Sequence, residues 1–118
     1  MIRIKRIYEK YSGQDGVRVL VDRLWPRGIR RENAKVDYWM KDLAPSDQLR
    51  QWFGHDPGKW PEFQRRYRME LETAPAHWTE LLRLAEKKDI TLLFGAKNQR
   101  HNNAVALAEF LQQRRQYP

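Results

Sequence analysis

One stretch limits the folds open to this chain more than any other. Val17-Arg18-Val19-Leu20-Val21-Asp22-Arg23-Leu24-Trp25-Pro26-Arg27-Gly28 runs an apolar strand straight into a cluster of charge, indole and turn residues. Val19, Leu20 and Val21 follow one another with no polar alternate, as in a strand covered on both faces. Asp22 opens its carboxyl end. Arg23, Trp25 and Arg27 then alternate with Leu24 and Pro26, and Gly28 supplies a turn where open α/β sheets hold their ligands. A second run, Ile90-Thr91-Leu92-Leu93-Phe94, has the same buried character and ends at Gly95-Ala96-Lys97-Asn98. The pattern predicts an α/β fold: a small single-domain sheet of three to four strands, the central ones parallel, flanked by about four helices.

The remaining segments fit around these two strands. Ile2, Ile4 and Ile7 suggest a first strand near an edge, and Ser12 to Gly16 reads as a loop. A connection this short favours a hairpin, because a parallel crossover generally needs about a dozen residues or more; the orientation of the first strand stays open. Arg30 to Lys35 is a polar connection with room for one helical turn, and Val36 to Met40 is a weak third strand. Ser46 is a natural N-cap for a short helix that Gly54 stops. Trp60, Phe63, Tyr67 and Leu71 recur at helical spacing, as do Trp78, Leu81, Leu82 and Ala85 after Pro75. A last helix starts near Gln99 to Asn102, with Ala104, Leu107, Ala108 and Leu111 inward.

At 118 residues, one domain spanning 1–118 is expected. No cysteine is present, so disulfides, a thiolate nucleophile and sulfur-ligated metal are excluded. No run reaches the ~18 apolar residues of a membrane span, and no apolar N-terminal signal is seen, so a soluble cytoplasmic protein without membrane attachment is expected. There are 23 basic and 15 acidic residues, a net of +8. Residues 1–36 carry +6, residues 37–75 carry −1 and residues 76–118 carry +3, so the charge sits with the strands and their loops. That distribution favours anionic partners; its bland alternative is charge that serves only solubility.

Three blocks carry a family resemblance: Val19 to Gly28; Trp52-Phe53 with His55-Asp56-Pro57; and Thr91 to Phe94 with Ala96-Lys97-Asn98 and His101-Asn102. Together they resemble the YeaO-like branch of the bacterial proteins grouped as domain of unknown function 488, over nearly the whole chain. The resemblance brings no reaction with it. Other branches similar to it have cysteines around the last strand and the loop that follows, where this chain has Phe94 and Asn102, and a thiol mechanism is therefore out of reach here.

The candidate ligand-binding residues are Arg23, Trp25, Arg27, Lys97, Asn98 and Asn102. Arg23 and Arg27 suit bidentate grip of phosphate or carboxylate; their structural alternative is pairing with Asp22, Asp56 or a helix C-terminus. Trp25 suits stacking, while Trp39, Trp52, Trp60 and Trp78 are assigned to packing. The glycine turn after the last strand, leading into a helix, leaves N–H groups open to an anion. Asp22, His101 and His55 are the candidate acid/base groups; in the structural reading Asn98 caps the last helix, His101 is a surface residue and Asp56 caps the helix after its turn. Three separated histidines without an i, i+4 pair make no metal site, and no cofactor is expected. The expected function is a site for a small anionic, phosphate- or carboxylate-bearing ligand at the loops after the two buried strands, with or without turnover. A nucleic-acid-binding or regulatory module using the basic surface ranks second. Neither ligand identity nor oligomeric state is written in the sequence.

Overall fold

The computed structural model describes residues 1–116. Its strands are β1 (Ile2–Arg6), β2 (Val17–Leu20), β3 (Tyr38–Trp39) and β4 (Ile90–Phe94). Its helices are α1 (Arg31–Ala34), α2 (Asp47–Phe53), α3 (Trp60–Glu72), α4 (Pro75–Lys87) and α5 (Asn103–Gln116). The sheet order is β1-β4-β2-β3 and every pairing is parallel. The two apolar runs are thus neighbours, with Val19 opposite Leu92 and Leu20 opposite Leu93. β4 takes an interior place because all five of its residues are buried and can be covered on both faces. β1, with Ile4 exposed, keeps the edge that its broken alternation suggests.

The expected hairpin between the first two strands does not form. β4 inserts between them, so residues 7–16 carry the chain back across β4 instead of turning between neighbours. The Thr91 hydroxyl, on β4, donates to the Asp15 carbonyl of this crossing segment at 2.7 Å. Ser12 caps a single 3-10 turn over Gly13–Asp15, and Gly16 then enters β2 at φ 67°. A Cβ there would lie 2.2 Å from the Asp89 carbonyl oxygen, so only glycine fits.

The two faces of the sheet are built differently. Val19, Val21, Ile90, Leu92 and Phe94 face the main core, shared with Leu49 and Phe53 of α2, Phe63, Tyr67 and Leu71 of α3, Leu81 and Ala85 of α4, and Leu107 and Leu111 of α5. The other face carries Leu20 and Leu93 under Ile7, Ala34, Trp25, Ile29, Val36 and Trp39, which come from loops, α1 and β3. Beside that smaller core lies a buried polar cluster. The Arg18 guanidinium donates to an Asp15 carboxylate oxygen and to the carbonyls of Ala34 and Lys35, while Lys5 donates to both Asp15 oxygens. Burial alone would raise the Asp15 pKa; hydrogen bonds from Lys5, the Ser12 N–H and Arg18 outweigh it and lower the value.

The helices begin and end largely where their sequence signals fall. Ser46 Oγ accepts from the Leu49 N–H, and Gly54 ends α2 in the left-handed region. α3 holds its aromatic stripe inward, with Phe53 stacked on Phe63 at 4.3 Å and Trp60 against Phe63 at 5.6 Å. β3 is only two residues long; just before it the Asp37 carboxylate accepts from the Arg18 N–H while the Asp37 N–H donates to the Arg18 carbonyl. No described helix is long and apolar enough to cross a membrane.

Asp15→Ala leaves the Arg18 charge buried without its counter-ion, so it costs about 3–5 kcal/mol in urea unfolding followed by tryptophan fluorescence. Because the Asp15 pKa is depressed below 3.8, the stabilisation it brings is present above that pH. It is lost as pH falls through the folded value, so the gap between wild type and variant narrows on acidification.

Candidate functional site

The carboxyl ends of β2 and β4 are tied together by one side chain. The Val21 N–H donates to the Leu93 carbonyl at 3.2 Å, extending the parallel ladder by a residue. Asp22 then turns its carboxylate across to the other strand end. One oxygen accepts from the Gly95 N–H at 2.8 Å, and the other accepts from the Asn103 amide at 3.1 Å. The same amide donates to the Val21 carbonyl at 3.0 Å, and the Trp39 indole donates to the Asp22 carbonyl at 2.7 Å. Gly95 permits this closeness, since a Cβ there would sit 3.2 Å from the Asp22 oxygen. Burial pushes the Asp22 pKa up, against the opposing pull of the Asn103 and Gly95 hydrogen bonds and of His55.

Around this carboxyl group opens a cavity of about 740 Å³. Five cationic side chains line it: Arg6, Arg23, Arg27, Arg50 and Lys97. Asp22 is the one carboxylate among the lining residues. The cations arrive from two sides. Arg6 donates to the Ala96 carbonyl at 2.9 Å and lies over the Tyr8 ring at 4.5 Å; the Tyr8 hydroxyl in turn donates to the Arg27 carbonyl at 2.7 Å. Across from them, Arg23 donates to the carbonyls of Pro45 and Ala44 at 3.3 and 3.4 Å, with Asp47 at 3.7 Å. Arg50 also reaches Asp47, at 3.4 Å.

The wall holding Arg23 is fixed from below by α3. The Tyr67 hydroxyl donates to the Leu43 carbonyl, and Ser46 donates to Glu70 from both its N–H and its hydroxyl. Burial, with Glu70 and Asp22 nearby, pushes the Tyr67 phenol up, so it remains a donor. Segment 43–46 is therefore clamped with the Ala44 and Pro45 carbonyls toward Arg23.

The structure brings Asp22, Arg23, Trp25, Arg27, His55, Lys97, Asn98 and Asn102 to the lining of one cavity. They are not equally free. The Arg27 guanidinium and the Lys97 ammonium have no partner among the described residues. Trp25 donates to the Ile29 carbonyl at 2.7 Å, meets Trp39 edge-on at 5.4 Å and carries Arg31 over its ring at 5.2 Å, so packing claims much of it. His55 is an exposed residue at φ 59° beside Asp56, whose carboxylate accepts from the Gly58 N–H. That carboxylate caps the short 3-10 turn Pro57–Lys59, one step before the helix for which the sequence proposes it.

The loop after β4 departs from expectation. α5 begins at Asn103, and the cap is Asn102, whose side-chain oxygen accepts from the Val105 N–H at 3.0 Å. Asn98 instead holds the approach, accepting from the N–H groups of Arg100 and His101. The N–H groups of Gly95, Arg100, His101 and Val105 are thus taken by side chains. His101 is half-buried; its ring lies 5.0 Å from Trp60 and its Nδ1 is buried with no partner among the described residues. It does not line the cavity.

Arg6, Tyr8 and Arg50 were not legible as site residues. Arg6 ends β1 and Tyr8 lies in the turn that follows, and only the insertion of β4 beside β1 brings that end to the site. Arg50 reads as an ordinary exposed helix residue until α2 is seen to form a wall.

A family model described as "Inactive DUF488-N3 subclade" matches residues 1–117. The chain is 40% identical over 110 residues to an uncharacterised protein of Mycobacterium tuberculosis (strain ATCC 25618 / H37Rv), covering 93% of this chain and 92% of the relative. It is 39% identical over 110 residues to the uncharacterised protein YeaO of Escherichia coli (strain K12), covering 93% of this chain and 96% of the relative. No solved structure matches the chain significantly.

Asp22→Asn keeps an acceptor for the Gly95 N–H but cannot ionise. Because the folded state holds the Asp22 proton above the ordinary 3.8, wild-type stability relative to the variant falls as pH rises from 3.8 through the raised value. Paired urea titrations between about pH 3 and pH 7 read this directly; a difference that stays flat contradicts the burial of that carboxyl group.

Proposed function

The chain belongs to the inactive DUF488-N3 subclade, and from that premise we propose that it is a binding protein for a small anionic ligand bearing a phosphate or carboxylate group. The observation that carries this reading is the convergence of five cationic side chains on a cavity with one carboxylate. That carboxylate has both oxygens engaged by N–H donors of the protein, so its lone pairs are turned to the fold and not to an incoming ligand. Arginine predominates among the cations, and its planar fork pairs bidentately with oxyanions. Arg23 is the anchor, oriented by two backbone carbonyls; Arg27 and Lys97 supply charge that no group among the described residues neutralises.

Binding without turnover agrees with the description of the subclade. Of the candidate acid/base groups, Asp22 is bonded through both oxygens, His101 is turned against Trp60, and His55 has no oriented partner. A general acid or base needs hydrogen-bond reach to a reacting proton and a second group to orient it.

Arg23→Ala and Lys97→Ala test the site by thermal shift and calorimetry against a panel of phosphorylated metabolites, nucleotides and organic acids. A ligand of this site raises the wild-type melting temperature and loses about tenfold or more in affinity in Arg23→Ala, as expected for a charge-assisted hydrogen bond. Lys97→Ala loses less, and its loss shrinks with added salt. Equal shifts for all three proteins remove the proposal.

A further inference from the structure

A bare oxyanion does not fill this cavity. Its volume of about 740 Å³ lies within the ~300–1,000 Å³ of pockets that enclose whole small molecules. A four-oxygen anion displaces only a few waters, at about 30 Å³ each. Much of the remaining lining is apolar: Tyr8, Leu24, Trp25, Pro26, Pro45 and Phe53.

Two of these side chains expose apolar surface that the fold itself does not use. Leu24 is 63% exposed and Tyr8 is 42% exposed, although other leucines such as Leu20 and Leu92 are fully buried. Leu24 stands between Arg23 and Trp25, on the segment that places both cation and indole at the cavity. Tyr8 lies beneath the Arg6 guanidinium. Phe53, 6% exposed, closes the floor. The Tyr8 ring thus has a cation over it, and Leu24 adjoins Arg23 in the chain. Planar guanidinium groups, besides pairing with oxyanions, stack on flat rings.

We infer that the ligand is a ring-bearing organic anion, its charged head held by the arginines and its flat apolar body laid between Leu24 and Tyr8 over the Phe53 floor. This rests on the anion-binding reading above and adds the class of body that the head is attached to. The head is either a phosphate or a carboxylate, because the arginine forks suit both.

The test is calorimetric titration with two matched pairs, inorganic phosphate against phenyl phosphate and acetate against benzoate, on wild type, Leu24→Ser and Arg23→Ala. Leu24 is exposed enough that its replacement leaves the core intact. The expected result is that one ring-bearing member binds about tenfold or more tighter than its simple partner, as burial of one ring face predicts. Leu24→Ser is expected to erase several-fold of that preference, while Arg23→Ala weakens both members of the pair. Which pair responds identifies the head. If ring-bearing and simple anions bind wild type equally, or if Leu24→Ser leaves the preference unchanged, the ring-bearing body is overturned and the anion site stands. If no member of either pair binds, both fall.

Discussion

The parallel pairing of β2 with β4 is the constraint on which the rest of the molecule depends. With Leu20 opposite Leu93, the two strands end together, and whatever follows each of them must share the same mouth. Asp22 converts that adjacency into a fixed geometry, since its carboxylate spans from the β2 end to the Gly95 N–H and the first residue of α5. A carboxyl group in this position costs desolvation free energy, which the raised pKa records. What it supplies in return is register: two loops and a helix start held around one side chain. The cavity is the space left over this junction.

Backbone and side chains divide the work unevenly at this mouth. In many α/β proteins the loop after a strand and the helix that follows present free N–H groups to an anion. Here Asp22, Asn98 and Asn102 take the N–H groups of Gly95, Arg100, His101 and Val105, and the proposed recognition falls to arginine and lysine side chains. Side-chain recognition of this kind leaves the charges on longer, separately anchored arms. Arg6 rests on Ala96, and Arg23 on the segment that Tyr67 and Glu70 hold in place. α3 thus serves the site without lining it through these two groups; it sets where the carbonyls of Ala44 and Pro45 point.

The sheet is also lopsided, with four helices on one face and loops with the one-turn α1 on the other. The thinner face relies on a buried polar cluster of Lys5, Asp15 and Arg18 where the thicker one relies on apolar packing. Removing one member of such a cluster is costlier than its net contribution suggests, because the remaining charge keeps its desolvation cost without compensation. The crossing segment 7–16 can be short because Asp15 and Thr91 bind it to the sheet. A helix in its place would need more chain and an apolar stripe that these residues lack.

The sequence by itself determined the elements and the polarity of their ends. Runs dominated by aliphatic residues dictate β2 and β4, helical spacing dictates α3 and α4, and Ser46 and Gly54 bound α2, because burial pattern and capping are local properties. It also placed Arg23, Arg27 and Lys97 after buried strands, where a parallel sheet directs its loops to one edge. Tertiary structure alone decided that β4 lies between β1 and β2, since sheet order is set by which apolar faces can be covered from both sides and leaves no local mark. From that order follow the crossing segment in place of a hairpin and the arrival of Arg6 and Tyr8 at the cavity. The same holds for Asn102 as the cap and His101 against Trp60: a run of polar residues offers several caps, and the packing of α5 on the sheet selects the one that fits.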